Sequence, residues 1–147
     1  MSSLIFSHGN GFPASTYRSF TNDLVRRGFQ VQSNEKLGHQ PEFPVTSNWP
    51  HLVQELAEFA EKSLRETGKT PYLIGHSLGG LLSLMCASKH PKLCAGVVLL
   101  DSPVIGGWKA SALQLAKKTN WIGAVSPGRI SQSRRQHWPD VEAVIAH

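Results

Sequence analysis

Cysteine is nearly absent: Cys86 and Cys94 are the two in 147 residues. Two thiols make neither a disulfide framework nor a structural zinc set. Both lie in apolar sequence, so the expectation is a pair of buried free thiols. Long hydrophobic runs are missing too. None approaches the ~20 apolar residues that cross a bilayer as a helix, so no membrane span is expected. The opening residues, Met1-Ser2-Ser3-Leu4-Ile5-Phe6-Ser7-His8, have no basic stretch and only a short apolar one. They do not read as a secretory leader, and the cytoplasm is the expected compartment. There is no internal repeat and no low-complexity tract. There is also no G-x-G-x-x-G fingerprint and no P-loop lysine, which argues against reading the glycine-rich turns as nucleotide sites.

Charged residues are sparse at 17 %, against 40 % hydrophobic, a globular composition. The length suits one domain. The net charge of +5 is unevenly placed. Residues 1–105 carry 9 Lys and Arg against 8 Asp and Glu, whereas residues 106–147 carry 6 against 2. A basic terminal segment can bind nucleic acid, but without a nucleic-acid motif a solvated helical face is the better reading, and no nucleic-acid partner is expected.

Short apolar runs alternate with longer helical periods, the pattern of a parallel sheet covered by helices. Leu4-Ile5-Phe6 reads as a buried strand, followed by the loop His8-Gly9-Asn10-Gly11-Phe12-Pro13. A helix is expected over Ser15–Arg27, stopped by Gly28, then a strand at Phe29-Gln30-Val31. Residues 34–47 look irregular. Asn48-Trp49-Pro50 opens the clearest helix, with Asn48 as its expected cap. Val53, Leu56, Ala57, Ala60 and Leu64 form its apolar stripe, and Glu55, Glu58, Glu61 and Lys62 lie away from it. Tyr72-Leu73-Ile74 is a third strand. Leu78 to His90 is a helix apolar almost all round, hence expected to be deeply covered. Val97-Val98-Leu99-Leu100 shows no alternation and reads as a strand buried on both faces, with Asp101 at its end. A boundary falls near Gly106-Gly107, with a further helix over Trp108–Thr119.

The strongest local signal is Gly75-His76-Ser77-Leu78-Gly79-Gly80. It fits G-x-S-x-G, directly after a strand and before a helix. There a serine sits on a sharp, strained turn, and flanking glycines let neighbouring backbone approach. Its hydroxyl emerges at the carboxyl edge of the sheet, where open α/β sheets bind ligands, beside helix amides that favour negative charge. The loop His8-Gly9-Asn10-Gly11 follows an earlier strand, so in a parallel sheet it reaches the same edge and can offer N–H groups to a tetrahedral intermediate.

Through Ser7-His8-Gly9-Asn10-Gly11-Phe12-Pro13, Gly75 to Gly80, and Val97-Val98-Leu99-Leu100-Asp101-Ser102-Pro103, the chain resembles the α/β-hydrolase superfamily, in particular its cap-bearing esterase-like branch. The resemblance implies a three-layer α/β sandwich with a parallel sheet. Residues 1–105 would be the N-terminal part of the hydrolase core, and residues 106–147 the start of a helical cap. It implies Ser77 as nucleophile and the backbone N–H groups of Asn10 and Leu78 as the oxyanion hole. Asp101 is a candidate for the acid that orients the base; the competing reading is a loop-capping residue acting through Ser102. The expected activity is serine hydrolysis of a small-molecule ester or thioester through an acyl-enzyme, without metal or organic cofactor. Acyl transfer, perhydrolysis and C–C cleavage are alternatives on the same fold. So is a catalytically dead hydrolase-like module that binds a ligand.

In this family the base is a histidine that follows the acid in the chain. None of His8, His39, His51, His76, His90, His137 or His147 has that position. His76 should point away from its neighbour Ser77, and His8 should pack its loop. The expectation is therefore an N-terminal fragment of a longer hydrolase. The implied strand order is second, first, third, fourth, which leaves Val97–Leu100 as an apolar edge open to self-association. Beyond it, Trp108, Leu113, Leu115, Trp121, Ile122 and Val125 are expected to dock a cap or line an acyl pocket. Arg129, Arg134 and Arg135 read as a wet face or an anion clamp.

Overall fold

A computed structural model of the chain describes residues 1–102, 104 and 139–142. The chain divides into two compact units, Met1–Val104 and Ile105–His147. All elements below belong to the first. The helix expected over 108–119, the boundary at Gly106-Gly107 and the expected cap side chains lie outside the described residues.

The apolar runs become strands β1 (Ser3–Ser7), β2 (Gln30–Ser33), β3 (Tyr72–His76) and β4 (Gly96–Leu100). They form one parallel sheet in the order β2-β1-β3-β4. Helix α1 (Arg18–Arg26) follows a 3-10 turn at Ala14–Tyr17. Helix α2 is Pro50–Thr67 and α3 is Leu78–Lys89. Alternation along β1 and β3 splits the core between the two faces of the sheet. Ile5 and Leu73 pack with Leu52, Val53, Leu56, Ala57 and Ala60 of α2 and with Leu82 and Cys86 of α3. Leu4, Phe6 and Ile74 face the other way, with Tyr17 and Leu24 against them. The result is the three-layer α/β sandwich that the strand–helix alternation predicts.

Register fixes the working edge. Ser7 lies opposite Gly75, Gly75 opposite Leu99, and His76 opposite Leu100. The loop after β1, Ser77 after β3 and Asp101 after β4 therefore leave the sheet side by side at its carboxyl edge.

Several local expectations are corrected. The first helical stretch is broken: a 3-10 turn hands over to α1 at Arg18. Trp49, not Asn48, occupies the N-cap position of α2, in the left-handed region and without a side-chain cap bond. Pro50 then starts the helix, where its missing N–H costs nothing. Strand β4 is not buried on both faces, because it is the last strand of the described sheet. Val98 and Leu99 are 43 % and 36 % exposed. On α3 the covered residues are Gly79, Gly80, Leu82, Ser83 and Cys86, and Leu84 is exposed. Glu55, expected on the wet side of α2, is only 3 % exposed.

Candidate active site

Ser77 joins β3 to α3 with φ 52° and ψ −115°. A non-glycine residue pays for this backbone in strain and keeps it only where its surroundings enforce it. Three hydrogen bonds do so. The Ser77 N–H donates to the Leu100 carbonyl at 3.0 Å, and the Ser77 carbonyl accepts from the N–H groups of Gly80 at 3.2 Å and Leu81 at 3.3 Å. The glycines are required by contact. A Cβ on Gly75 would strike the Gly79 backbone, one on Gly79 the carbonyls of Ser7 and His8, and one on Gly80 the Ser102 side chain. The start of α3 thus presses directly onto the end of β1, which brings the helix N-terminus beside the loop that carries Asn10. Ser77 is half-buried, and its Oγ has no hydrogen-bond partner among the described residues.

Asn10 is exposed in a tight turn, where the Phe12 N–H donates to the Gly9 carbonyl at 3.2 Å and Gly11 takes φ +76°. Leu78 is the first residue of α3, a position whose N–H has no intrahelical acceptor. Neither the Asn10 nor the Leu78 N–H donates to another described residue.

The ring of His76 leans away from the elbow. Its Nδ1 lies 2.8 Å from the Tyr17 hydroxyl, which also accepts the Gly9 N–H at 3.2 Å. The Tyr17 hydroxyl thus bridges His76 and Gly9 and ties the oxyanion-loop candidate to the strand end before Ser77. His8 is buried. Its Nε2 accepts the Leu37 N–H at 2.9 Å, which leaves the proton on Nδ1 to donate to the Gly9 carbonyl at 2.9 Å. Both rings are occupied in holding loops, and no histidine among the described residues hydrogen-bonds Ser77. Asp101 is exposed, with φ 45°, next to the Leu100 carbonyl that receives the Ser77 N–H. It shares the edge with Ser77 but has no ring paired to it among the described residues.

Sequence reading missed Glu55. Its carboxylate accepts from Asn34 Nδ2 at 2.7 Å, the Gly38 N–H at 2.7 Å and Gln40 Nε2 at 3.3 Å. A signal was present: Glu55 stands three residues after Leu52 and four before Phe59, on the flank of the apolar stripe. Of the thiols, Cys86 is buried and Cys94 half-buried, both free. Burial, with a smaller effect from neighbouring Cys94, pushes the Cys86 thiol up to about 11. Among the described residues no group of three or more His, Cys, Asp or Glu could hold a metal ion. No described helix is long and apolar enough to cross a membrane.

Against known proteins, the family described as serine aminopeptidase, S33, matches residues 2–143. A monoglyceride lipase of Rattus norvegicus is 31 % identical over 139 residues, covering 88 % of this chain and 46 % of the relative. A putative non-heme haloperoxidase of Mycobacterium phage D29 is 27 % identical over 125 residues, 78 % of this chain and 44 % of the relative. Among solved structures, a monoacylglycerol lipase of Paleococcus ferrophilus superposes with a TM-score of 0.57 at 27 % identity, covering 85 % of this chain and 48 % of that one. The chain spans about half the length of the curated relatives it matches.

Proposed function

Because the chain belongs to the serine aminopeptidase S33 family of α/β-hydrolases, we propose that Ser77 is the nucleophile of a serine hydrolase acting on a small carboxylic ester. The monoglyceride lipase relatives favour a glycerol-type ester as the first substrate to try. Ser77 Oγ attacks the carbonyl carbon and the carbonyl π pair moves to oxygen. The tetrahedral intermediate collapses, the alcohol leaves with a proton, and an acyl-serine remains for water to hydrolyse. The N–H groups of Asn10 and Leu78 receive the oxyanion; one such donor is worth ~3–4 kcal/mol in the transition state. The N-terminus of α3 adds its dipole at the same point. Asp101 stands at the edge where an acid could orient the base. The base itself is a histidine that no described residue supplies. Residues 106–147 are read as the start of a cap segment, and the open β4 edge as a surface for self-association.

The backbone of Ser77 is the observation that carries this reading. A strained serine between a strand and a helix, packed round by obligatory glycines, serves no packing purpose. The test is covalent labelling of the chain with a fluorophosphonate. Stoichiometric labelling that disappears in Ser77→Ala supports it. A chain with intact secondary structure that stays unlabelled even when imidazole is added to stand in for the base overturns it and favours the second reading, a hydrolase-like binding module, to which the Ser77 hydroxyl, without a partner among the described residues, also points.

A further inference from the structure

The buried carboxylate of Glu55 lies on α2, outside the site just described, yet a continuous set of hydrogen bonds joins the two. Glu55 receives three donors from the segment after β2: the Asn34 and Gln40 side-chain amides and the Gly38 N–H. Among the described residues it forms no ion pair; Lys62 and Arg65 on the same helix pair with Glu66 and Glu61 instead. An anion so covered is kept only if donors replace its water, and here they all come from one loop. The next link is Leu37, adjacent to Gly38, whose N–H donates to His8 Nε2. His8 in turn donates from Nδ1 to the Gly9 carbonyl, which also closes the Gly9–Phe12 turn around Asn10. The same segment grips the far end of that loop. The Ala14 N–H donates to the Glu35 carbonyl at 3.0 Å, and Ser15 donates to the Glu35 carboxylate through both its N–H and its hydroxyl.

We propose that Glu55 is a positioning residue for oxyanion stabilisation: it fixes residues 34–40, which through Leu37 and His8 hold the turn that presents the Asn10 N–H. This rests on the reading of Asn10 as an oxyanion donor. It makes the buried acid a requirement of rate rather than of fold alone. The carboxylate acts at a distance, through another residue's backbone, and touches no substrate.

The test uses the full chain and hydrogen exchange read by peptide. In Glu55→Ala, exchange over residues 8–13 and 34–40 should rise by about tenfold or more, as expected for local opening, while residues 72–76 of β3 keep the parent rate. Glu55→Gln should restore most of the protection, because its carbonyl can still take the Gly38 N–H while Asn34 turns its own oxygen inward. Phosphonylation of Ser77 should slow by ~10–100-fold in Glu55→Ala, the scale of a misplaced catalytic group, and recover in Glu55→Gln. Unchanged exchange over residues 8–13, or a uniform rise through β3, overturns the proposal. If Glu55→Ala does not fold, His8→Leu cuts the same relay further on. Residues 8–13 should then loosen while 34–40 stay protected, and no loosening refutes the relay. A parent chain that is never phosphonylated fails the acyl-enzyme reading instead, and the exchange pattern still decides what Glu55 holds.

Discussion

At Gly79 the elbow has no spare room. A methyl group there would overlap the main-chain carbonyls of Ser7 and His8, which are fixed by β1 and cannot swing aside as a side chain would. Gly96 offers the contrast. A Cβ there meets only the ring of Tyr72 at 3.0 Å, a side chain that is 42 % exposed rather than main chain. Gly79→Ala is expected to destabilise by ~1–3 kcal/mol or more through overpacking. For a unit of this size that lowers Tm by roughly 4–8 °C per kcal/mol. It should also abolish phosphonate labelling, since Ser77 and Leu78 cannot keep their places if α3 backs away from β1. Gly96→Ala is expected to stay within about 1 kcal/mol of the parent and to label normally. Thermal melts and labelling on the two variants check both halves. Equal losses in both would mean that the elbow is no tighter than an ordinary strand end.

Helix α3 carries the clearest dependence on pH. Cys86 lies on its buried side, against the core shared with α2, and its thiol is held up to about 11 from an ordinary 9.0. Below pH 9 the thiol is protonated in both folded and unfolded chains, and the contribution to stability is complete. Between about 9 and 11 the unfolded chain releases the proton while the folded one retains it. Stability therefore falls as pH rises, by up to roughly 2–3 kcal/mol for this group. Melting curves at pH 8 and pH 10.5 should show a smaller alkaline drop in Cys86→Ala than in the parent; equal drops would refute the assignment. The elements themselves were open to sequence reading where one stretch decides the matter alone. Leu4-Ile5-Phe6 and Tyr72-Leu73-Ile74 lie within strands, and the stripe from Val53 to Ala60 is buried. Ser77 could be placed at a turn because glycine spacing and the strand-to-helix switch are local signals. What could not be read depends on residues distant in the chain. Glu55 is buried because residues 34–40 fold back and solvate it, and Trp49 takes the cap because it packs against the core. A helical wheel puts Glu55 on the flank of the apolar stripe, but it shows neither the donors that make its burial tolerable nor the packing of Trp49.

Over the whole described sheet, the chemistry and the liability sit at different borders. The carboxyl ends of β1, β3 and β4 gather the candidate site, whereas the side of β4 away from β3 has no strand against it among the described residues. Val98 and Leu99 point to opposite faces and both are exposed, so the last strand offers apolar side chains on either side as well as unpaired backbone. Natural edges are usually short, charged or twisted away, because an apolar edge templates pairing with another chain. This one has the sequence of an interior strand. Self-association at micromolar concentration is the expected consequence, and it should run through β4 rather than through the site. Sedimentation velocity across a concentration series should show the parent moving to larger species. Val98→Lys should remain at the monomer value, since a lysine on the exposed face of an edge strand opposes stacking and pairing of a second copy. The substitution is far less costly than one in β1 or β3, because Val98 is already 43 % exposed. Phosphonate labelling of the variant should match the parent, as Val98 lies before the Leu100 carbonyl that steadies Ser77 and takes no part in the elbow. A parent chain that stays monomeric over the whole series would refute β4 as a surface that pairs with a second copy.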